Sequence, residues 1–335
     1  MRLKNFAIAL AVLALLTSCD ESHDVRVLKM SHNLNQQHPV HVGLLHLNEK
    51  LQEVSGGKME VEIYSGAQLG SENQCIEMLQ IGSLALTKVS AASLSNFVDE
   101  FKLFGLPYIF ESKEQFYDII DGPIGDEMLL STEKCLFRGL GYFDAGARSF
   151  YTTDKPILKP EDLKGLRIRV MPNAMAIDMM SAFGGSATPI SLGELYTALQ
   201  SGVVDGAENN SPTYHTSNDF EVAKHYSINE HAIIPDVLII SNVIWADLST
   251  QEREWLMEAI ESAEMYQREV WARQEKESMA EVEKRGCTIY YPDKQPFIDM
   301  VRDLPEKYKE TKDLYRMVEK VQEFKSQLKE EEAKQ

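Results

Sequence analysis

Apolar and polar residues alternate along this chain with two periods in turn. VRVLKM at 25–30 alternates with the two-residue period of a strand, and a polar turn, SHNLNQQHPVH, follows it. LLHLNEKLQEVSGG then carries apolar residues at helical spacing up to a Gly-Gly stop. MEVEIYSG is again strand-like, Ser71 is a helix cap, ENQCIEMLQIGS is a helix ending at Gly82, and LALTKVSA is a further strand. This alternation predicts an α/β lobe with a mainly parallel sheet, whose ligands sit beyond the carboxyl ends of the strands.

The pattern then repeats. FKLFGLPYIF is apolar and aromatic around Pro107, and SKEQFYDIIDGPIGDEMLLSTEK predicts helices parted by Gly122-Pro123. Strand character returns in CLFRGLGYFDAGARSFYTT and in GLRIRVM, and two helices follow in NAMAIDMMSAFGG and LGELYTALQSGVVDG. A second α/β lobe therefore begins near Gly146. IIPDVLIISNVIW, from Ile233 to Trp245, is almost continuously apolar, as expected of a doubly buried strand returning to the first lobe. From Ser249 to Arg285 there is no Pro or Gly, which predicts one helix of ~50 Å at ~1.5 Å per residue, long enough to cross both lobes. The charged stretch from Pro305 onward is expected to form a solvated surface helix, amphipathic over YRMVEKVQEFKSQL, with a fraying end at KEEEAKQ.

Composition agrees with two lobes. The chain has 335 residues, 44% of them hydrophobic, and single cores stop growing near ~250 to 300 residues. At the start, Arg2 and Lys4 precede an apolar run from Phe6 to Leu16, too short for a membrane span of ~20 residues but suited to an export signal. Leu16, Thr17, Ser18 and Cys19 resemble the lipobox of bacterial lipoproteins, which makes 1–18 the leader and Cys19 the point of lipid attachment. The alternative is an ordinary leader with Cys19 an incidental thiol. Loss of Arg2 and Lys4 takes the formal charge from −18 to −20, which argues against nucleic acid as a partner. Cys75, Cys135 and Cys287 are odd in number and widely spaced, fitting neither a disulfide framework nor a zinc site, and leave at most one bridge open.

No phosphate loop, dinucleotide fingerprint, nucleophile elbow or HExxH motif is present, so the reading is of a binding protein with no cofactor and no reaction. His38 and His41 stand three apart, but no further ligand falls at a metal-binding spacing. The informative residues are cationic. Arg148 lies in GARSF, and Arg167 and Arg169 are two apart on one face of a strand. Two arginines in mid-strand cannot both be unpaired core residues, because a buried lone guanidinium is very costly. Strand-end ion pairs and an anion site both satisfy that constraint. A guanidinium suits a carboxylate because its planar fork makes two parallel charge-assisted hydrogen bonds.

QLGSENQCIEMLQIGSL, GLPYIF, GARSF, KPEDLKGLRIRVMPNAMA and ELYTALQSGVVDGAEN together resemble the substrate-binding subunits of tripartite ATP-independent periplasmic (TRAP) transporters, over about residues 26 to 300. The resemblance implies a two-lobed α/β clamp like the periplasmic binding proteins, with hinge strands and a long helix spanning both lobes. One lobe would comprise 19–145 and 235–273, and the other 146–234 and 274–335. By the same resemblance Arg169 forms the salt bridge to a ligand carboxylate, Arg148 is a second cation beside it, and Asn209 hydrogen-bonds the same group. Glu72 would meet ligand hydroxyls, with His32 and Asn33 touching the ligand from the first-strand loop. Ser90 stands where sialic acid receptors of the family carry Glu, which turns the reading toward uronates and related sugar acids, with a C4-dicarboxylate as the runner-up. The implied partners are the small and large TRAP membrane subunits, and the membrane itself through the lipid. The chain is expected to be monomeric. A sensor feeding a receptor kinase is the rival of another class.

Overall fold

The computed structural model describes residues 25–332, so the leader and Cys19 lie outside the described residues. Two mixed sheets organise the molecule. The strands are β1 (Arg26–Ser31), β2 (Met59–Tyr64), β3 (Leu86–Ser90), β4 (Phe137–Phe143), β5 (Ala147–Thr152), β6 (Arg167–Val170), β7 (Ser186–Pro189), β8 (Gly206–Asn209), β9 (His225–Ile233), β10 (Asp236–Ser241) and β11 (Thr288–Tyr290). The first sheet has the order β2-β1-β3-β10-β4 and the second β11-β9-β5-β8-β6-β7.

The strands expected to be mainly parallel are so except at the crossovers. β10 runs antiparallel to both β3 and β4, and β5 runs antiparallel to both β8 and β9. Each sheet takes in one strand that enters from the other. The chain leaves the first sheet between Phe143 and Ala147 and returns between Ile233 and Asp236. The apolar run expected to be one strand to Trp245 is β10 followed by a helix, Asn242–Asp247, which Ser241 caps.

Local signals set the helix ends. Ser71 and Gln74 form a capping box at the start of Glu72–Gln80, and Ser249 and Glu252 form another at the long helix Thr250–Lys284. Helix Pro39–Ser55 starts on Pro39 and stops at Gly56, whose φ of 62° is left-handed. The long helix buries Leu256, Ala259, Ile260 and Ala263 in the first lobe's core, while Val282 reaches the core that includes Tyr151 and Tyr214 in the second. It thus spans both lobes.

Its middle pins the first crossover. The Gln267 side chain accepts from the Asp144 N–H and donates to the Asp144 carbonyl, both at 2.8 Å. Two residues on, Gly146 adopts a φ of 57°, and a Cβ there would lie 3.0 Å from Trp271 Nε1.

The solvated terminal helix is also corrected. Helix Lys312–Glu332 buries Leu314, Met317, Val318 and Val321 against the segment Asp99–Gly105 and helix Pro123–Ser131, which lie between strands of the first sheet. Three of these four residues, Met317, Val318 and Val321, lie in the amphipathic stretch YRMVEKVQEFKSQL. All three described cysteines are free. Among the described residues, no helix is long and apolar enough to cross a membrane, and no cluster of three His, Cys, Asp or Glu converges as a metal site.

Candidate functional site

Between the sheets lies a cleft of about 1160 Å³. It takes its walls from the carboxyl ends of β1, β3, β6 and β8 and from the amino ends of the antiparallel β5 and β10, which within each sheet lie on the same edge. That is the topological reason why residues far apart in sequence meet there.

The second-lobe wall is built on β5, β8 and β6, which are neighbours. Register sets Arg169 opposite Ala207, and Asn209, two residues on in β8, faces the same side. Arg169 is only 2% exposed, and its Nε donates to the Ile190 carbonyl at 2.7 Å. Neither terminal nitrogen of Arg169 meets a protein acceptor among the described residues, and the residue lines the cleft. Burial pushes its pKa below the usual arginine value. A buried guanidinium requires a compensating partner, and the planar geometry of these terminal nitrogens suits a carboxylate in the cleft.

Arg148 differs. Its Nε donates to Glu208 Oε2, its Nη2 to Glu208 Oε1 at 2.9 Å and to the Glu208 carbonyl at 2.8 Å, and its Nη1 to Asn209 Oδ1 at 2.9 Å. Four of its five N–H groups are thereby occupied. Arg148, expected beside Arg169 as a second cation, lines the cleft as a braced ion pair that also orients Asn209. The Asn209 oxygen also accepts from the Asn210 N–H at 3.0 Å, so its amide nitrogen is left for the cleft. Glu208, against the opposing cost of burial, is held down to about 2 by the Arg148 charge beside it. Arg167, in contrast, is exposed and pairs with Asp205 at 2.6 Å.

On the first-lobe wall a buried ammonium organises the groups. Lys88, 2% exposed at the centre of β3, donates to Asn33 Oδ1 at 3.3 Å, Glu72 Oε1 at 3.3 Å and Asp236 Oδ1 at 3.1 Å. Its three protons thus meet three acceptors, and the two carboxylates keep its pKa raised against the cost of burial. Glu72 is further engaged by the Ser90 N–H at 3.2 Å and by Ser93 Oγ at 2.6 Å. Asp236 Oδ2 has no protein partner among the described residues, and burial raises the Asp236 pKa. Ser90 lines the cleft while its Oγ accepts from the Ala92 N–H at 3.3 Å, capping the short helix Ala91–Leu94.

His32 is not brought to the cleft. Its Nδ1 accepts from the Leu34 N–H at 3.2 Å, which places the proton on Nε2, and Nε2 donates to His41 Nδ1 at 2.9 Å. The ring turns inward to shape the loop that presents Asn33. Burial pushes it down to about 3, so it stays neutral. Lys88, Asp236 and Glu208 carry much of the site's charge and were not singled out by sequence reasoning. The available signal was a lone charge inside an otherwise buried strand.

The lobes touch across the cleft. Asn96 Nδ2 donates to the Pro172 carbonyl at 3.1 Å, Asn35 Nδ2 to the Thr216 carbonyl at 2.5 Å, and His38 Nε2 lies 3.1 Å from Thr213 Oγ1. Two lobes joined by crossover strands, with an unpaired guanidinium facing a polar wall, define a solute-binding clamp.

Comparisons with known proteins agree. The model of the family described as bacterial extracellular solute-binding protein, family 7 (DctP), matches residues 30–311. A solute-binding protein of Chromohalobacter salexigens is 36% identical over 241 residues, 72% of each chain. Among solved structures, a TRAP periplasmic solute-binding protein of Anaerococcus prevotii with bound α/β-D-glucuronate is 34% identical with a TM-score of 0.87, covering 90% of this chain and 99% of that one. Another from a Bradyrhizobium species, in complex with α/β-D-galacturonate, is 35% identical with a TM-score of 0.86, covering 89% of this chain and all of that one. This chain belongs to that family, the substrate-binding proteins of TRAP transporters.

Proposed function

We propose that this chain captures a hexuronate and delivers it to the small and large membrane subunits of a TRAP transporter. The observation that carries the reading is the pair of Arg169 terminal nitrogens, on a buried side chain and without a protein acceptor among the described residues, beside the Asn209 amide. A carboxylate fits it bidentately. Opposite stands a wall of acceptors around Lys88, suited to the hydroxyl groups of a sugar ring. The solved relatives with bound glucuronate and galacturonate support the same ligand class. In this reading Arg169 anchors, Arg148 and Asn209 orient, and Asn33, Ser90 and Glu72 shape the far wall. Of the described residues, 25–145 with 235–273 form one lobe and 146–234 with 274–311 the other, while the terminal helix, expected in the second lobe, goes with the first because it packs against Asp99–Gly105 and Pro123–Ser131. The chain acts as a monomer without catalysis. A thermal-shift panel of uronates, aldonates and C4-dicarboxylates tests the class: the largest rise in Tm is expected with D-glucuronate or D-galacturonate. A panel led by succinate or malate overturns it.

Lipid anchoring belongs to the same proposal. Leu16 to Cys19 end an apolar leader in the order of a lipobox, and two acyl chains give stable membrane attachment where one does not. Mass spectrometry of protein from native membranes is expected to find a diacylated Cys19 as the first residue. An unmodified thiol, or cleavage elsewhere, overturns the anchor.

A further inference from the structure

Charge is distributed unevenly around the cleft. On β5, β6 and β8 Arg148 is neutralised by Glu208 and Arg169 has no ion-pair partner among the described residues, while Glu194, hydrogen-bonded to Ser191, also lines the second-lobe side. On the first-lobe side a single ammonium, Lys88, stands between two carboxylates, Glu72 and Asp236, leaving a net negative charge. These carboxylates are not equivalent. Each Glu72 oxygen already accepts from the protein, from Lys88 and Ser90 at one and Ser93 at the other. Asp236 gives one oxygen to Lys88 and keeps the other for the cleft, which it lines.

We infer that Asp236, held on Lys88 and reinforced by the charge of Glu72, is the specificity-determining residue of the distal end of the site, accepting a ligand hydroxyl and rejecting a second carboxylate. The inference rests on the proposed uronate reading and deepens it. A hydroxyl donates to a carboxylate oxygen, forming a charge-assisted hydrogen bond. A second carboxylate has no proton to give, and it would approach a pair of anions balanced by only one cation. The site therefore separates a sugar acid with one carboxylate from its diacid counterpart by repulsion as well as by attraction. Position explains why Asp236 can do this. It is the first residue of β10, at the second crossover, with its backbone paired to Ser90 and Phe143, so the backbone that carries it into the cleft lining is held on both sides.

Asp236→Asn tests the inference because it keeps the shape and the oxygen that Lys88 uses while removing the charge. Titration calorimetry is run on the wild-type chain and the variant with D-glucuronate, D-galacturonate and the corresponding hexarates, the diacids. The wild-type chain is expected to favour the uronate strongly. The variant is expected to bind uronate about 10- to 100-fold more weakly, the worth of a hydrogen bond to a charged group, and to bind hexarate better than the wild type does. The readout is the uronate-to-hexarate ratio, which a general loss of folding cannot narrow. Asp236→Ser is measured alongside, so that failure of one variant to fold leaves the ratio measurable. An unchanged ratio, or wild-type chain that binds hexarate as tightly as uronate, overturns the inference while the uronate reading stands. Wild-type chain that binds no uronate overturns the reading beneath it.

Discussion

Glu208 receives Arg148 on both of its side-chain oxygens, at Oε1 from Nη2 at 2.9 Å and at Oε2 from Nε, with both residues buried. The pair braces the floor of the cleft, and Arg148 in turn holds the Asn209 oxygen. Breaking one side of a buried pair leaves an uncompensated charge, which costs about 3–5 kcal/mol. Glu208→Gln is therefore expected to lower the unfolding free energy in urea by about that amount. Saturating uronate is expected to restore more stability to the variant than it adds to wild type, because the ligand anion relieves the unpaired Arg148.

Gly43 marks the contact between helix Pro39–Ser55 and the long helix. A Cβ there would lie 2.8 Å from both Cβ and Cγ of the buried Gln267, the residue that holds the Asp144 backbone. Gly43→Ala is expected to cost about 1–3 kcal/mol by overpacking. Equilibrium unfolding measures the loss. Some weakening of ligand affinity accompanies it only if the shift reaches the crossover through Gln267.

Two titrating groups give stability opposite slopes with pH. Burial, with Lys88 nearby, lowers His32 to about 3 from an ordinary 6.5, so the unfolded chain takes up its proton first. The contribution of His32 is fully present above 6.5 and is lost as pH falls toward 3. Burial raises Glu264 to about 7 from an ordinary 4.5, so its neutral form is favoured in the fold and stability is lost as pH rises from 4.5 through 7. His32→Asn is expected to flatten the acid side of the stability curve, and Glu264→Gln the side between 4.5 and 7. Urea midpoints at pH 5 and pH 8 separate the two, and parallel curves for wild type and both variants would contradict the assignment.

How much of this was legible in the sequence depends on what each residue advertises. The alternation of periods gave both lobes, and a stretch without Pro or Gly gave the long helix to within a residue at each end, Ser249 being its cap. Arg167 and Arg169 posed their own question, two guanidinium groups on one strand face, and the fold answers it by pairing one with Asp205 and leaving the other in the cleft. Strand direction was less legible, because a crossover strand looks like any buried strand until its neighbours are known. For the same reason Asp236 passed as part of the apolar run IIPDVLIIS, and Lys88 as part of LALTKVSA. A lone charge in such a run is itself a signal, since an isolated buried ion is too costly to persist without partners. His32 was misplaced because loop position does not tell which way a ring turns. The terminal helix showed its apolar stripe in YRMVEKVQEFKSQL, but the lysines and glutamates around it, whose long stems allow charged residues to flank buried positions, read as a solvated surface.

The central claim is that Arg169 receives the ligand carboxylate. Titration calorimetry of Arg169→Ala with D-glucuronate and D-galacturonate, alongside circular dichroism to establish that the variant is folded, tests it most directly. Binding is expected to weaken by at least about 100-fold, as when one partner of a buried charge pair is removed, with Arg169→Lys keeping only a weak remnant because an ammonium lacks the fork. A folded Arg169→Ala chain that binds uronate as tightly as wild type would contradict the account.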